Sequence, residues 1–559
     1  MSAALLSALL ALLPRVGLAL VFAVIALRYG IATRRRMQRK KLLLAQREGE
    51  RLQSDERTRI VGFFHPYCNA GGGGERVLWT ALACMQREEQ SDVGRTFFVV
   101  YTGDVGIGAG KASKEEVLAK AQARFGIEID PSSVAFIPLR HRWLVEDSTW
   151  PRLTLLGQSL GSVLLAVEGL FRSDGLIPDY WIDTMGYAFT YPLVKYLCRI
   201  PVASYTHYPT ISTDMLDRVR SRLAGHTNSS LVARSRFLST LKLAYYRVFA
   251  AAYTASLSCA DVIWVNSSWT RAHVESLLDT GVARASEQPA AARRRTIRLL
   301  YPPCDTAHLA RFPLESKHRL PPAQEYVTIL SLAQFRPEKE HATQLHAFAE
   351  LLGSLIPSLR ESDISLRENL RLVLAGSVRN SADAARVESL RTLAKVLQIA
   401  EQVDFRVNEP YEVICDLMKK ATIGLHTMID EHFGITVVEF QAAGLIPLAH
   451  ASAGPLNDII VPSGDIPDST GFLAPLPSTS NSSSDSPTSP FRLASAFAQQ
   501  LRHILTLPLE KQDRIRRNAR ENAVKKFSSE VFERGWLDGW RVLSEGSGSR
   551  ASGGGKKED

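Results

Sequence analysis

Two carboxylates stand eight residues apart in Glu431-His-Phe-Gly-Ile-Thr-Val-Val-Glu439. Upstream, the apolar run from Ala421 to Thr427 reads as a buried strand; downstream, Leu445 to Ala449 reads as the next. Glu431 therefore falls at the C-terminal end of a strand, and Glu439 about one turn inside the following helix. In an open α/β sheet that is where ligands bind. Taken alone, such a pair can do general acid/base work, as in glycoside hydrolysis. It can equally hold a ligand, and the bland alternative is two surface carboxylates.

A second feature is glycine-rich. Asn69-Ala-Gly-Gly-Gly-Gly-Glu-Arg76 joins the apolar run Ile60 to Phe64 to a helical stretch from Glu75 to Glu88. Gly72, Gly73 and Gly74 allow close backbone approach to a ligand. A helix N-terminus there offers N–H groups to a phosphate. The run is neither Gly-x-Gly-x-x-Gly nor a Walker loop, because no residue intervenes and no Lys-Ser/Thr follows. A structural turn is the competing reading.

The elements that must position these residues alternate. Strand candidates at Ile60 to Phe64, Thr96 to Tyr101, Val134 to Pro138, Pro178 to Asp183, Pro201 to Thr206 and Asp261 to Asn266 are separated by helical patterns. A second series begins at Tyr326 to Leu332 and runs through Leu370 to Ala375, Val403 to Phe405, Ile423 to Leu425 and Leu445 to Ala449. Such alternation predicts parallel, doubly wound sheets, here in two Rossmann-like domains at 60–310 and 311–540. The Ser-rich stretch 478–489 reads as a disordered insertion, and 541–559 as a flexible tail.

At 559 residues the chain is too long for one core. Its net charge of +10 is concentrated: eleven Lys/Arg against four acids between Arg28 and Arg59 leave +7 there. With no recognition motif beside that charge, nucleic-acid binding is not expected. The six scattered cysteines form no Cys-x-x-Cys pair, which fits reduced thiols in a cytosolic domain.

Residues 1–33 form an apolar anchor and 34–59 a basic juxtamembrane segment. An apolar stretch of this length can span a bilayer, and the basic cluster Arg34 to Lys41 would then lie on the cytosolic side, followed by the body of the protein. Pro14 and Arg15 interrupt the run, so a monotopic or re-entrant helix is the alternative. A cleaved signal would carry its charge first. The sequons at Asn228, Asn266 and Asn481 are chance occurrences on this topology. Leu153 to Phe171 and Leu241 to Phe249 can lie on a membrane surface or in the core.

The Glu431–Glu439 segment resembles the Glu-x7-Glu signature of retaining, nucleotide-sugar-dependent glycosyltransferases of the glycogen-synthase-like superfamily. Together with His65-Pro-Tyr-Cys-Asn-Ala-Gly-Gly-Gly-Gly-Glu-Arg76, Ala333-Gln-Phe-Arg-Pro-Glu-Lys339 and Glu431-His-Phe-Gly434, the chain resembles the GDP-mannose-dependent α-1,2-mannosyltransferases of the dolichol-linked oligosaccharide pathway, in glycosyltransferase family 4. The likeness runs from about Ile60 to Trp540. It implies the GT-B architecture, two Rossmann-like domains facing across a cleft, the second holding GDP-mannose and the first the acceptor. Terminal helices around Glu521 to Trp540 would cross back onto the first domain.

The resemblance also implies roles. Lys339 and Arg336 would neutralise the departing diphosphate, although the family's usual Arg position is Gln334 here and Arg336 comes two residues later. Glu439 would accept from the ribose hydroxyls and Glu431 would face the donor sugar. The amides of Phe433, Gly434 and Ile435 would add to the diphosphate site. His207 would stand beside the donor sugar, with His65 a second candidate. No Asp-x-Asp motif calls for a metal, so no cofactor is expected beyond the donor itself. The implied partners are a dolichol-diphosphate oligosaccharide, the cytosolic face of the endoplasmic reticulum membrane, and other mannosyltransferases of the pathway. An α-1,3 or α-1,6 mannosyltransferase of the same pathway, or a non-catalytic sugar-nucleotide scaffold, remain the alternatives.

Overall fold

Long apolar runs set the architecture. β1 (Arg59–Phe64) is buried from Ile60 onward, and β2 (Thr96–Thr102) is buried throughout. Strands with no polar alternation are those of parallel sheets covered on both faces. The computed structural model describes residues 25–42, 58–89, 96–106, 108, 110–211, 215, 236–280, 297–314, 326–355, 366–461, 468–475 and 490–552. The stretches expected to form most of the N-terminal anchor and the insertion 478–489 lie outside the described residues, as do Asn228 and Asn481.

The first sheet adds β3 (Val134–Pro138), β4 (Tyr180–Asp183), β5 (Val202–Thr206), β6 (Val262–Val265) and β7 (Ile297–Leu299), in the order β3-β2-β1-β4-β5-β6-β7. β1 pairs in parallel with both β2 and β4. The order reverses there, so the crevice of this sheet opens at the C-terminal ends of β1 and β4.

The second sheet contains β8 (Val327–Leu332), β9 (Leu370–Gly376), β10 (Val403–Val407), β11 (Ile423–His426), β12 (Ile446–His450) and β13 (Phe472–Ala474), in the order β10-β9-β8-β11-β12-β13. Its reversal lies between β8 and β11, which are parallel. Along β9 the pleat divides the core: Leu372 and Leu374 pack with Phe348, Leu351 and Phe497, whereas Val373 and Ala375 pack with Phe440 and Val437.

The chain divides into two compact units, one made of residues up to Trp264, His273–Arg298 and Leu537–Asp559, the other of Val265–Ala272 and Leu299–Trp536. The division near residue 298 falls earlier than the expected 310/311, because β7 closes the first sheet and the following residues already pack in the second unit. Of the C-terminal helix, residues from Leu537 onward belong to the first unit and those up to Trp536 to the second. That helix, Ser529–Ser552, continues into the segment read as a flexible tail. Trp536, Trp540 and Leu543 are buried, and an anchored helix propagates at low cost per added residue.

In the first unit the helix Thr154–Phe171 settles the choice between core and surface by doing both. Gly157, Ser159, Gly161 and Ser162 are buried; a Cβ on Gly161 would sit 2.1 Å from the Leu144 carbonyl oxygen. The opposite face exposes Leu156, Leu160, Leu164 and Val167. The helix Arg236–Leu257 likewise buries Phe249 and Tyr253 and exposes Leu241 and Val248.

Part of the basic cluster Arg34 to Lys41 is engaged within the protein. In the helix over residues 25–42, Arg34 donates to the carbonyls of Phe171 and Arg172, at the C-terminal end of Thr154–Phe171. That is where a cation offsets the helix dipole. Arg35 and Arg39 pair with Asp179 at 2.5 and 3.0 Å. Arg36, Lys40 and Lys41 stay exposed.

Candidate active site

β8 and β11 each end in residues that meet across the reversal of the second sheet. After β8 the chain makes a short 3-10 turn, Pro337–Lys339. After β11 it turns through Thr427 to Glu431. Lys339 Nζ donates to Glu431 Oε2 at 2.6 Å, with both side chains mostly shielded. His426, the last residue of β11 and 4% exposed, places Nε2 3.1 Å from the same oxygen. Glu431 Oε1 receives no hydrogen bond among the described residues. Burial alone would raise the Glu431 carboxyl, but Lys339 and then His426 outweigh it and hold it well below the usual carboxylate range.

The backbone around this cluster is held by side chains. Thr427 Oγ1 donates to the carbonyl of Lys339 at 3.0 Å and accepts from Gln344 Nε2 at 2.8 Å. The Glu431 carbonyl accepts from the Gly454 amide at 3.0 Å. The Asp430 amide donates to Ser452 Oγ at 2.8 Å, and Ser452 also meets His450 Nδ1 at 2.8 Å. Glu340, Asp430 and Ala453 adopt positive φ of 54°, 55° and 43°. Non-glycine residues in that region are strained and collect at functional sites.

Gly434, at φ 107°, is the N-cap of the helix Ile435–Ala443. Among the described residues nothing accepts from the Gly434 and Ile435 amides, so they keep the orphan donors of a helix start. Phe433 does not face outward. Its ring is buried and stacks on Tyr301 at 5.5 Å, so of this residue only the backbone can serve a ligand. Glu439 lies one turn into the helix, half-exposed, near Cys415. Arg336 pairs with Glu338 at 2.5 Å and not with Glu431, so the structure unites Lys339 and Glu431 but leaves Arg336 to one side.

The first sheet has its own cluster at its reversal. His65 follows β1 and Thr184 follows β4; His65 Nδ1 and Thr184 Oγ1 are 2.7 Å apart and both residues are buried. The His207 ring, after β5, lies 3.2 Å from the Thr184 carbonyl. A Cβ on Gly74 would be 3.4 Å from His207 Nε2, so the glycine loop and the histidine adjoin. Burial, and then His207, lower His65 to about 3.

The loop is closed partly on itself. Glu75 folds back and accepts from the amides of Ala70, at 2.9 Å, and Gly71. Glu75 is buried, and burial raises its carboxyl against the pull of those amides. The donors left to a ligand are the first-turn amides of the helix Gly73–Glu89, beside the open face of Gly72, which has nothing within 4 Å of its Cβ position.

Sequence reasoning missed His426, Thr184 and Glu75. His426 had a visible signal: a histidine at the end of the strand, five residues before Glu431. The other two had none, because their partners come from other strands or from a loop turning back on itself.

The fold has solved counterparts. An α,α-trehalose 6-phosphate synthase from Burkholderia multivorans superposes with a TM-score of 0.55 at 14% identity, covering 88% of this chain and all of that one. A sucrose-phosphate synthase from Thermosynechococcus elongatus gives 0.53 at 16%, covering 87% and 100%. At such identities the likeness concerns the fold. Two Rossmann-like units, with a Lys–Glu–His cluster and a glycine loop at their sheet reversals, define a GT-B glycosyltransferase. Residues 58–278 match the family described as ALG11 mannosyltransferase N-terminus, and 314–485 match Glycosyl transferases group 1. The GDP-Man:Man(3)GlcNAc(2)-PP-Dol alpha-1,2-mannosyltransferase of Homo sapiens is 43% identical over 499 residues, 89% of this chain and 88% of that protein. The protein of the same name from Kluyveromyces lactis is 35% identical over 507 residues, 89% and 80%. The chain belongs to this family of α-1,2-mannosyltransferases.

Proposed function

We propose that this protein moves mannose from GDP-mannose to Man3GlcNAc2-PP-dolichol and then to Man4GlcNAc2-PP-dolichol, forming two α-1,2 bonds with retained configuration and yielding Man5GlcNAc2-PP-dolichol for protein N-glycosylation. The observation that carries this reading is the Lys339–Glu431–His426 cluster at the reversal of the second sheet, in a chain of this family. Lys339 and the amides of Gly434 and Ile435 receive the diphosphate, with Arg336 reaching it on leaving Glu338. Glu439 accepts from the ribose and Glu431 from a mannose hydroxyl. His207 and the Gly72–Gly74 loop are the first unit's own candidates for contact with the donor.

The chemistry follows a front-face course. The bond between the anomeric carbon and the phosphate oxygen breaks and its electron pair leaves with GDP. The acceptor hydroxyl bonds to the anomeric carbon on the same face, and its proton passes to the departing phosphate oxygen. Positive groups fixed where charge develops are the main source of acceleration. Lys339 and the helix N-terminus fill that role in our reading, so no metal is required.

The reading extends to a place: the cytosolic face of the endoplasmic reticulum, through an N-terminal apolar helix, beside other mannosyltransferases of the pathway. The exposed leucines of Thr154–Phe171 and the exposed Arg36, Lys40 and Lys41 support a membrane-facing surface. Asn266 is 5% exposed, which leaves no room for a glycan at that sequon.

The test is incubation with GDP-mannose and a Man3GlcNAc2 lipid, followed by α-1,2-mannosidase digestion. Two mannoses should be gained and both then removed. No transfer to this lipid, or a product resistant to the digest, overturns the reading.

A further inference from the structure

Among the described residues, Glu431 has two cationic or donor neighbours on one oxygen and none on the other. Lys339 Nζ and His426 Nε2 both address Oε2, at 2.6 and 3.1 Å. A carboxylate only accepts, so His426 donates from Nε2. Lys339 sits on a short turn and also touches Met428 Sδ at 3.1 Å. Its long side chain can swing. His426 cannot, because it ends a fully buried strand and is itself 4% exposed.

From this asymmetry we infer that His426 is the positioning residue of the donor-sugar site: it keeps Glu431 Oε2 occupied when the donor diphosphate draws Lys339 away, so that Oε1 stays turned to the sugar hydroxyl. The inference rests on the proposed roles of Lys339 and Glu431. In the free protein the two donors are redundant. In the donor complex Lys339 faces a diphosphate, a stronger attraction than one carboxylate, and Glu431 would rotate without a second, immobile donor. For a histidine that merely filled the core, replacement by an apolar side chain of similar bulk would leave turnover unchanged.

The test uses the full-length protein and three variants. His426→Leu keeps most of the volume and removes the donor. His426→Gln retains an amide donor at nearly the reach of Nε2, whereas His426→Asn falls short of it. Affinities for GDP-mannose and for GDP are measured beside kcat. Expected for His426→Leu is a kcat about ten- to a hundredfold lower, the loss of one hydrogen bond to a charged group. Its GDP-mannose affinity should fall as well, while affinity for GDP, which has no sugar, stays within about twofold of wild type. His426→Gln should recover most of both losses. Unchanged kcat in a folded His426→Leu overturns the inference, as does an equal fall in GDP and GDP-mannose affinity. Should His426→Leu fail to fold, the Gln and Asn pair decides: equal kcat in the two overturns it. Lack of mannose transfer by the wild type would overturn the functional reading instead.

Discussion

Lys339 Nζ lies 2.6 Å from Glu431 Oε2, and the two residues come from the loops after β8 and β11, the strands between which the second sheet reverses its order. A largely shielded ion pair is weak evidence for stability, since desolvation offsets much of the attraction. Its place argues for function: a positive group and a negative group are held ready where an anionic donor carrying hydroxyls would sit.

Separate replacements should separate the two roles. Lys339→Met is expected to lower both kcat and GDP affinity, kcat by about a hundredfold or more. Glu431→Gln should lower kcat by a similar factor while leaving GDP affinity within about threefold. Steady-state kinetics with GDP binding checks this, and near-normal turnover in both variants would remove these residues from the site.

The glycine loop can be probed at its open position. A methyl group on Gly72 meets nothing within 4 Å, so Gly72→Ala should leave the thermal midpoint unchanged. If a ligand approaches this backbone, KM for GDP-mannose should rise about tenfold, the effect of roughly 1.4 kcal/mol. Unaltered kinetics would make the loop a structural turn.

Acid should weaken the fold from about pH 6.5 downward. Burial first lowers His65 to about 3, and His341 and His450 to about 4. With folded values below the unfolded 6.5, the unfolded chain binds more protons between those limits, so stability is intact above pH 6.5 and lost as pH falls toward 4. Each such group contributes a slope of up to about 1.4 kcal/mol per pH unit. His450→Asn should flatten the decline of the urea midpoint between about pH 6 and 4.5; an unchanged slope would show that His450 accepts a proton in the folded state.

The leucine face of Thr154–Phe171 should meet lipid. A polarity-sensitive dye on Leu160→Cys, a position 55% exposed, should shift to the blue when vesicles containing anionic lipid are added. The same dye on a Val396→Cys variant, 72% exposed in the second unit, should not shift.

Chelation offers a simple check on the electrostatics. With Lys339 and the Gly434 and Ile435 amides as counter-charges, excess EDTA should leave mannose transfer unchanged. A rate lost with EDTA and restored by a divalent cation would assign that charge to a metal.

Much of this was legible in the sequence by itself. Unbroken apolar runs such as Phe97 to Tyr101 identify strands of parallel sheets, since a strand covered on both faces has no solvent side to mark with polar residues. The spacing of Glu431, Gly434 and Glu439 places a strand end, a helix start and a first turn, because local geometry follows local sequence. Lys339 was legible for a different reason, through its likeness to a known motif.

Tertiary structure decided what depends on strand order. Only the adjacency of β8 and β11 brings Lys339 to Glu431, and only that of β1 and β4 brings His65 to Thr184. The sequence shows four glycines; folding turns two of the loop's amides onto Glu75. It shows a run of basic residues; folding turns Arg34, Arg35 and Arg39 onto the first unit and leaves the others to solvent. The physical reason is common to these cases. A donor or a charge takes the partner that packing places within about 3 Å, and sequence distance does not say which partner that is.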